Sequence, residues 1–429
     1  MRERVNVGLI GLGVIGGGVA KIFKEKPDIL TKQSGAPLVL KRVADKDETR
    51  AKSPLIDPQT FTSDAQDILQ DPEIDIVIEL IGGETPAHGF IKEAIQCGKH
   101  VVTANKEVIA KHGVELLAMA NEHGVGLLYE ASVGGGIPLI SPLKRNLQAD
   151  KISAIHAIIN GTTNYILTRM EEGGLEFSTA LKEAQSLGYA EADPTNDIEG
   201  IDAEYKIAIL ATVAFHVSVR PQDVYYEGIS RTAPQDFRYA KELGYAIKLL
   251  AMAKKEDNTV QARVHPAFIH EDMLLAKVNG VFNAVQTEGE LSGKVMFYGR
   301  GAGPDPTSNV IIADVIHLAQ NIALEAPVTP ELPLDQGTIK PMDEIETRYY
   351  VRMTITDQAG VLAQITKILG DHKISVASVI QKEADERFQT AEIVIMTHPA
   401  REKAMQQAIK DMEGLDVVKE VSNLIRVED

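Results

Sequence analysis

The chain has 429 residues, and its 44 Lys and Arg against 61 Asp and Glu leave a formal charge of −17. That length accommodates about two to four domains, and a composition 44% hydrophobic and 24% charged is that of a folded protein rather than a disordered one. The acidic surplus argues against a nucleic-acid or anionic-membrane surface, no apolar run predicts a membrane span, and the single cysteine, Cys97, excludes an internal disulfide and a multi-cysteine metal site.

Cys97 reads as a small packing residue, and a cytoplasmic location is the simplest reading of so little cysteine. The charged start Met1–Arg4 followed by an apolar run could pass for a secretion signal. The glycines in that run weigh against it, because glycine disfavours helix interiors.

Val5–Ile10 is a short apolar run suited to a buried parallel strand. It leads into Gly11-Leu12-Gly13-Val14-Ile15-Gly16, a G-x-G-x-x-G turn, and then into an amphipathic segment, Gly17–Lys26. In that setting the first glycine permits a tight turn and the second lets backbone approach a pyrophosphate. The third lets helix and strand pack closely, with the helix N-terminus facing the phosphates. Leu38–Ala44 predicts a second strand ending in Asp45, an acid placed to bind the adenosine ribose and favour NAD. Lys46 beside it could accept a 2′-phosphate, so NAD and NADP both stay open. Pro27–Pro37 reads as a loop insertion.

Further elements alternate: strand Ile74–Ile81, helix Thr85–Gln96, strand His100–Thr103, helix Asn105–Asn121, strand Val125–Tyr129. Such alternation implies a parallel sheet covered by helices, with ligands beyond the carboxyl ends of its strands. Three places lie there: Gly82-Gly83, Thr103–Lys106 and Glu130–Gly136.

Beyond them, Ile152–Ile159 predicts a strand followed by the polar run Asn160–Asn164, which could bind substrate or cap the next helix. Phe177–Leu187 and Ile201–Phe215 read as helices and Val260–Phe268 as a strand. Leu187–Lys206 is dense in acids, among them Glu191, Asp193, Asp197, Asp202 and Glu204. Asp202 and Lys206 fall four apart on one helical face, which elsewhere continues apolar through Ile207–Ala214. A solvated ion pair is the plain reading. A charged pair opening a buried helix is better explained by a cavity and a ligand. An ammonium can protonate a carbonyl oxygen as hydride reaches the carbon, and Lys106 and Lys206 are the candidates.

The stretches Val102–Lys106 (VTANK), Tyr129–Pro138 (YEASVGGGIP), Asn160–Ile166 (NGTTNYI), Ala184–Lys206 and Gly299–Thr307 (GRGAGPDPT) together resemble the homoserine dehydrogenases, in collinear order over roughly residues 5–325. The resemblance implies reversible, NAD(P)-dependent interconversion of homoserine and aspartate 4-semialdehyde, on the route to threonine, isoleucine and methionine. It implies Lys206 as proton donor and Lys106 as a second essential lysine. Substrate contacts would come from Glu191, Asp202, Asp197, Tyr189 and Thr162. Cofactor contacts would come from Gly11, Leu12, Gly13, Val14, Ile15, Gly16, Asp45, Gly82, Thr103, Lys106, Gly188, Gly301 and Gly303. A structural Na⁺ would be held by Glu130, Val133, Gly135 and Ile137. A plain hinge is the alternative for that glycine turn.

Ala326–Pro341 is rich in proline and reads as part of a linker. After it, a β-α-β-β-α-β order runs from Tyr349 to Ile425, the ferredoxin-like arrangement. Asp357–Leu362 and Ile374–Gln381 resemble an ACT domain. That implies an amino-acid effector, threonine, at Asp357, Gly360, Val361, Leu362 and Gln381. A dimerisation module without ligand is the alternative.

The fold class expected is therefore α/β: a Rossmann-type parallel sheet (1–134, rejoined by a helix near 303–325), an α+β substrate and dimerisation domain (135–325), a linker (326–347) and a ferredoxin-like ACT domain (348–429). No segment precedes the nucleotide-binding unit, so a fused kinase is not expected. The assembly expected is a homodimer or homotetramer, with no nucleic-acid or membrane partner. Rival readings are another amino-acid-linked dehydrogenase, or a catalytically inactive dinucleotide sensor; the latter predicts loss of lysines and carboxylates that are all present.

Overall fold

The computed structural model describes residues 3–330, 333–385 and 387–428. The expected linker and C-terminal domain therefore each include residues outside that set, Glu331 and Leu332 in one, Glu386 and Asp429 in the other, as does the first domain at Met1 and Arg2. The chain forms two compact units, each interrupted in sequence.

The first unit comprises 1–153, 208–221 and 288–336. Its sheet has six strands in the spatial order Phe61–Thr62, Leu38–Ala44, Val5–Ile10, Ile76–Glu79, His100–Thr103, Leu127–Leu128. All neighbours run parallel. Every residue of Val5–Ile10 is buried, as expected of a central strand covered on both faces. From this strand the chain crosses first to one side and then to the other, so its carboxyl end is the switch point where open α/β sheets bind ligands.

Helix Val14–Glu25 follows that strand, and helix Pro304–Ala323 packs beside it, its Val310, Ile311 and Val315 joining Val7, Leu9 and Val19 in one core. At Gly18 an added side chain would strike Ser308 and Pro304, so close approach of the two helices requires the glycine. Pro27–Pro37, expected to be loop, instead holds a helix, Pro27–Ser34. Proline at its first position and a left-handed Gly35 after its end are ordinary helix boundaries. Cys97 is exposed at the end of helix Ala87–Gln96, not packed inside as expected.

The second unit comprises 154–207, 222–287 and 337–429. One sheet runs through it in the order Phe282–Gly289, Ile152–Ile158, Tyr245–Glu256, Thr259–His270, Val418–Glu428, Glu346–Thr356, Thr390–Thr397, Val376–Asp385. Its last four strands, with helices Val361–Asp371 and Glu402–Glu413, form the expected ferredoxin-like order. Tyr349, Val351, Met353 and Ile355 alternate onto the face those helices cover.

The opposite face is not left to solvent. Tyr350 stacks on Phe268 at 4.5 Å between ring centroids, and Arg352 donates to buried Asp236 at 2.7 Å. Val418–Glu428 lies parallel beside Thr259–His270. Fully buried Arg426 bonds Glu402 at 2.6 Å and Glu227 at 2.6 Å. The C-terminal strands therefore continue the preceding sheet, whereas composition around 326–347 had marked a separate module. Within that supposed linker Thr338–Ile339 already pairs with Thr259–Val260.

Among the described residues no helix is long and apolar enough to cross a membrane.

Candidate active site

In the first unit the glycine turn is built by backbone. Gly11 sits at φ +97°, a conformation L side chains avoid. A Cβ at Gly16 would collide with the Gly11 carbonyl oxygen, so helix and turn touch only because that position is glycine. Leu12 N–H donates to Asp45 Oδ2 at 2.6 Å, which ties the turn to the end of the second strand. Val14 is exposed, and Leu12 is buried beneath the turn.

Asp45 is shared more widely than its position in sequence indicated. Its Oδ1 accepts from Asp47 N–H at 2.9 Å, and its Oδ2 also meets Arg50 Nη1 at 3.0 Å. Arg50, with no signal in the sequence, thereby comes to lie beside Gly13. A cleft of about 630 Å³ opens here, lined by the turn, Lys21, Thr49, Arg50, Lys52, Pro304 and Asp305. Its size and its basic wall fit a dinucleotide, with backbone amides for phosphate and cations for any further charge.

The neighbouring strand ends are tied together. Thr103 Oγ1 donates to Glu79 Oε2 at 2.7 Å and accepts from Asn105 N–H at 3.0 Å. Asn105 caps helix Lys106–His123, and its amide donates to the carbonyls of Ile81 and Gly83 at 3.1 and 2.8 Å. Lys106 is thus the first residue of a capped helix, and Gly82-Gly83 is held to it. Burial pushes the Glu79 carboxyl up to about 7, against the bonds from Thr103 and Ile81 N–H.

Glu130 is buried, and its carboxylate accepts the N–H groups of Leu139 (2.5 Å), Ile140 (2.7 Å) and Ser141 (2.6 Å). Gly134 and Gly135 lie at positive φ in the turn between. A Cβ at Gly135 would strike the Gly301 carbonyl, and Gly303 turns the chain into helix Pro304–Ala323. Glu130 N–H in turn donates to buried Asp314 Oδ2 at 3.0 Å, and an oxygen-only set of this kind could hold a hard cation rather than a transition metal.

In the second unit the charged groups are held by side chains. Lys206 Nζ donates to Asp202 Oδ2 at 2.6 Å and to the Ile159 carbonyl at 2.9 Å, with Asp202 itself buried. Asn160 joins the cluster. Its oxygen caps helix Gly161–Gly173 at Thr163 N–H (2.9 Å), while its amide donates to Asp202 Oδ2 (2.9 Å) and Asp197 Oδ1 (2.7 Å). The two readings of Asn160–Asn164 were a cap or a binding element; Asn160 caps the helix and also holds both carboxylates. Burial, with the Asp202 carboxylate adding to it, holds Asp197 above the ordinary carboxylate range despite the Asn160 bond.

Thr162 Oγ1 donates to the Tyr189 carbonyl at 2.6 Å, placing the loop that carries Gly188, Tyr189 and Glu191 over the cluster's edge. Tyr189 and Glu191 are exposed. At the C-terminal helix start, Gly360 sits at φ +91°, and Asp357, Leu362 and Gln381 are each exposed. Val361 is buried in the core, so only its backbone is available there.

Three family models match successive parts of the chain. Residues 11–130 match the family model for the homoserine dehydrogenase NAD-binding domain, 138–316 that for homoserine dehydrogenase, and 349–417 that for the ACT domain. The homoserine dehydrogenase of Neisseria gonorrhoeae is 41% identical, over 99% of this chain and 98% of its own. The crystal structure of a homoserine dehydrogenase from Thiobacillus denitrificans is 42% identical with a TM-score of 0.94, covering 99% and 98% of the two chains. A hyperthermophilic archaeal homoserine dehydrogenase in complex with NADPH superposes at a TM-score of 0.63 with 29% identity, over 76% of this chain and 99% of its own. With the first two of these relatives spanning 99% of its length at more than 40% identity, the chain belongs to the homoserine dehydrogenase family of NAD(P)-dependent oxidoreductases.

Proposed function

We propose that the chain interconverts L-homoserine and L-aspartate 4-semialdehyde, with Lys206 moving the proton at the substrate oxygen. The observation that carries this is the buried Lys206–Asp202 contact of 2.6 Å at the start of an apolar helix. Nicotinamide, when bound, supplies or takes the hydride. Lys206 Nζ has one N–H on Asp202 and one on the Ile159 carbonyl. An ammonium carries three, so one remains to protonate an aldehyde oxygen and stabilise the developing alkoxide. Asp202 fixes the ammonium in place. Asp202, Asp197, Glu191, Tyr189 and Thr162 are the groups we assign to the substrate, the acids answering its α-ammonium. Lys106 is the second essential lysine.

The nucleotide is assigned to Gly11–Gly16, Asp45, Gly82, Thr103, Lys106, Gly188, Gly301 and Gly303. Arg50, paired to Asp45 but with its side chain 38% exposed, gives NADPH a counter-ion for its 2′-phosphate. We therefore assign dual use of the two cofactors. A structural Na⁺ is assigned to Glu130 with the carbonyls of Val133, Gly135 and Ile137. For the ACT domain we assign threonine as feedback effector at Asp357, Gly360, Leu362 and Gln381 and the Val361 amide, with paired copies of the chain as the assembly.

Purified protein should oxidise L-homoserine. Lys206→Ala should lower turnover by about 10²–10⁴-fold while NADPH binding, read by fluorescence, is retained. Unchanged turnover would remove Lys206 from the role. Arg50→Ala should raise the KM for NADPH about tenfold or more and leave that for NADH near its starting value; equal effects would remove the 2′-phosphate assignment.

A further inference from the structure

Away from the nucleotide turn, two helices of the first unit bring imidazoles together. His88 lies in helix Ala87–Gln96, and His112 and Glu115 lie in helix Lys106–His123. One donor atom from each of these three residues lies within 4.8 Å of the other two. The rings of His88 and His112 stack with centroids 4.1 Å apart. His88 Nε2 is buried and has no hydrogen-bond partner, an expensive state for a ring nitrogen unless something else satisfies it. His112 Nε2 is bonded to Glu84 Oε1 at 2.8 Å. Glu84 is in turn held by Lys111 at 2.8 Å.

We propose that His88, His112 and Glu115 form a binding site for a borderline divalent transition ion of the Zn²⁺ type, with Glu84 as the carboxylate that orients His112. Two neutral imidazoles and a carboxylate are the donor set such ions select, and oxygen-preferring Mg²⁺ is not expected to compete. Glu84 bonds His112 at Nε2, so ligation of an ion through Nδ1 would give the pattern seen where a carboxylate backs a ligating histidine. A tetrahedral ion with ligands at about 2.0–2.1 Å places its donors about 3.3 Å apart. Binding therefore requires the two rings to turn out of their stacked, near-parallel planes, since one ion cannot lie in both. Glu115 is 54% exposed and its Oε1 is met by Lys92 Nζ at 3.2 Å, so an ion entering from this exposed side would displace an ammonium from the carboxylate.

The site has a structural consequence. Glu84 follows directly on Gly82-Gly83, the loop whose carbonyls Asn105 holds. A bound ion would therefore fasten the segment 82–88 to helix Lys106–His123 from its outer side, as Asn105 fastens it from within.

The test uses metal-stripped full-length chain in a Cys97→Ser background, which removes the exposed thiol as a competing ligand. Zn²⁺ is titrated against a chromogenic chelator, and Co²⁺ is read by its visible absorption. One Zn²⁺ per chain at micromolar affinity, with the strong absorption of tetrahedral Co²⁺, is expected. His88→Asn with His112→Gln should weaken binding at least 100-fold, and Glu84→Gln about tenfold. Melting temperature without metal and NADPH binding should not move, which separates lost ligation from lost folding. Absence of stoichiometric Zn²⁺ binding overturns the site, as does equal affinity in the double variant.

Discussion

The turn Gly11–Gly16 and the cluster around Asp202, the two places assigned above to charged ligands, are built by opposite means. The turn uses main chain: an N-terminal helix end, a left-handed glycine and a missing Cβ. The cluster uses side chains: one ammonium, two carboxylates and an amide that touches both acids. A backbone site is spoiled by adding atoms and is indifferent to many side chains nearby. A side-chain site is spoiled by taking atoms away. The contrast can be tested from both sides.

Among variants that keep Lys206, the largest effect is expected where atoms are added. Gly16→Val would place side-chain carbon against the Gly11 carbonyl, which the turn can accommodate only by opening. With overpacking costs of about 1–3 kcal/mol, NAD(P)H affinity should fall about 10–100-fold or more. Val14→Ser, two residues away on an exposed side chain, should change it less than twofold. If both variants bind alike, the turn is not organised by its backbone, and the contrast with the Asp202 cluster breaks.

A smaller effect should follow from subtraction in the cluster. Asn160→Ala removes the donor shared by Asp197 and Asp202. Leaving a buried acceptor unpaired costs about 1–3 kcal/mol, so kcat/KM for homoserine should fall about tenfold. Part of any stability loss would be the helix cap, worth about 1 kcal/mol. Asn160→Asp separates the two effects. It keeps the capping oxygen at Thr163 N–H but sets a third carboxylate against two others. It should melt nearer to the parent than Asn160→Ala does and be at least as poor a catalyst. Recovery of both stability and rate in Asn160→Asp would mean that the residue only caps.

How much of this was legible in the sequence follows the same division. The glycine motif could be read because backbone geometry restricts residue type at fixed spacing. Strands such as Leu38–Ala44 and His100–Thr103 fell where their apolar runs placed them. Asp202 and Lys206 stood out because charge opening an apolar helix conflicts with burial. Their connection to Asn160, 42 residues earlier, could not be read, since a hydrogen bond across folded chain leaves no local period. Arg50 was hidden for the same reason, and a lone arginine after a strand resembles any surface cation. The continuation of the sheet into the C-terminal strands was hidden too. Tyr350 and Arg352 alternate with core residues on one strand, and only their burial against Phe268 and Asp236 shows that the second face is covered.

The last effect, on stability rather than on binding or rate, sharpens the comparison through two buried acids. Asp202 is met by an ammonium at 2.6 Å, whereas Glu79 is met by the Thr103 hydroxyl and the Ile81 N–H, both at 2.7 Å. Neutral donors do not offset burial, and Glu79 is pushed up to about 7 from an ordinary 4.5. Below 4.5 the folded and unfolded chains both carry its proton, and its contribution to stability is complete. Between 4.5 and 7 the unfolded chain has released the proton while the folded chain keeps it. Stability therefore falls as pH rises through that window and levels off above it. The size is on the order of 3 kcal/mol. Glu79→Gln carries no titrating proton, so its advantage over the parent chain should grow across the same window and then stay constant. Paired melting curves from pH 4.5 to 8 measure this. If the two chains keep a fixed separation throughout, Glu79 is ionised in the folded state at neutral pH. A positive partner would then have to stand where Lys206 stands for Asp202, and the two acids would be alike after all.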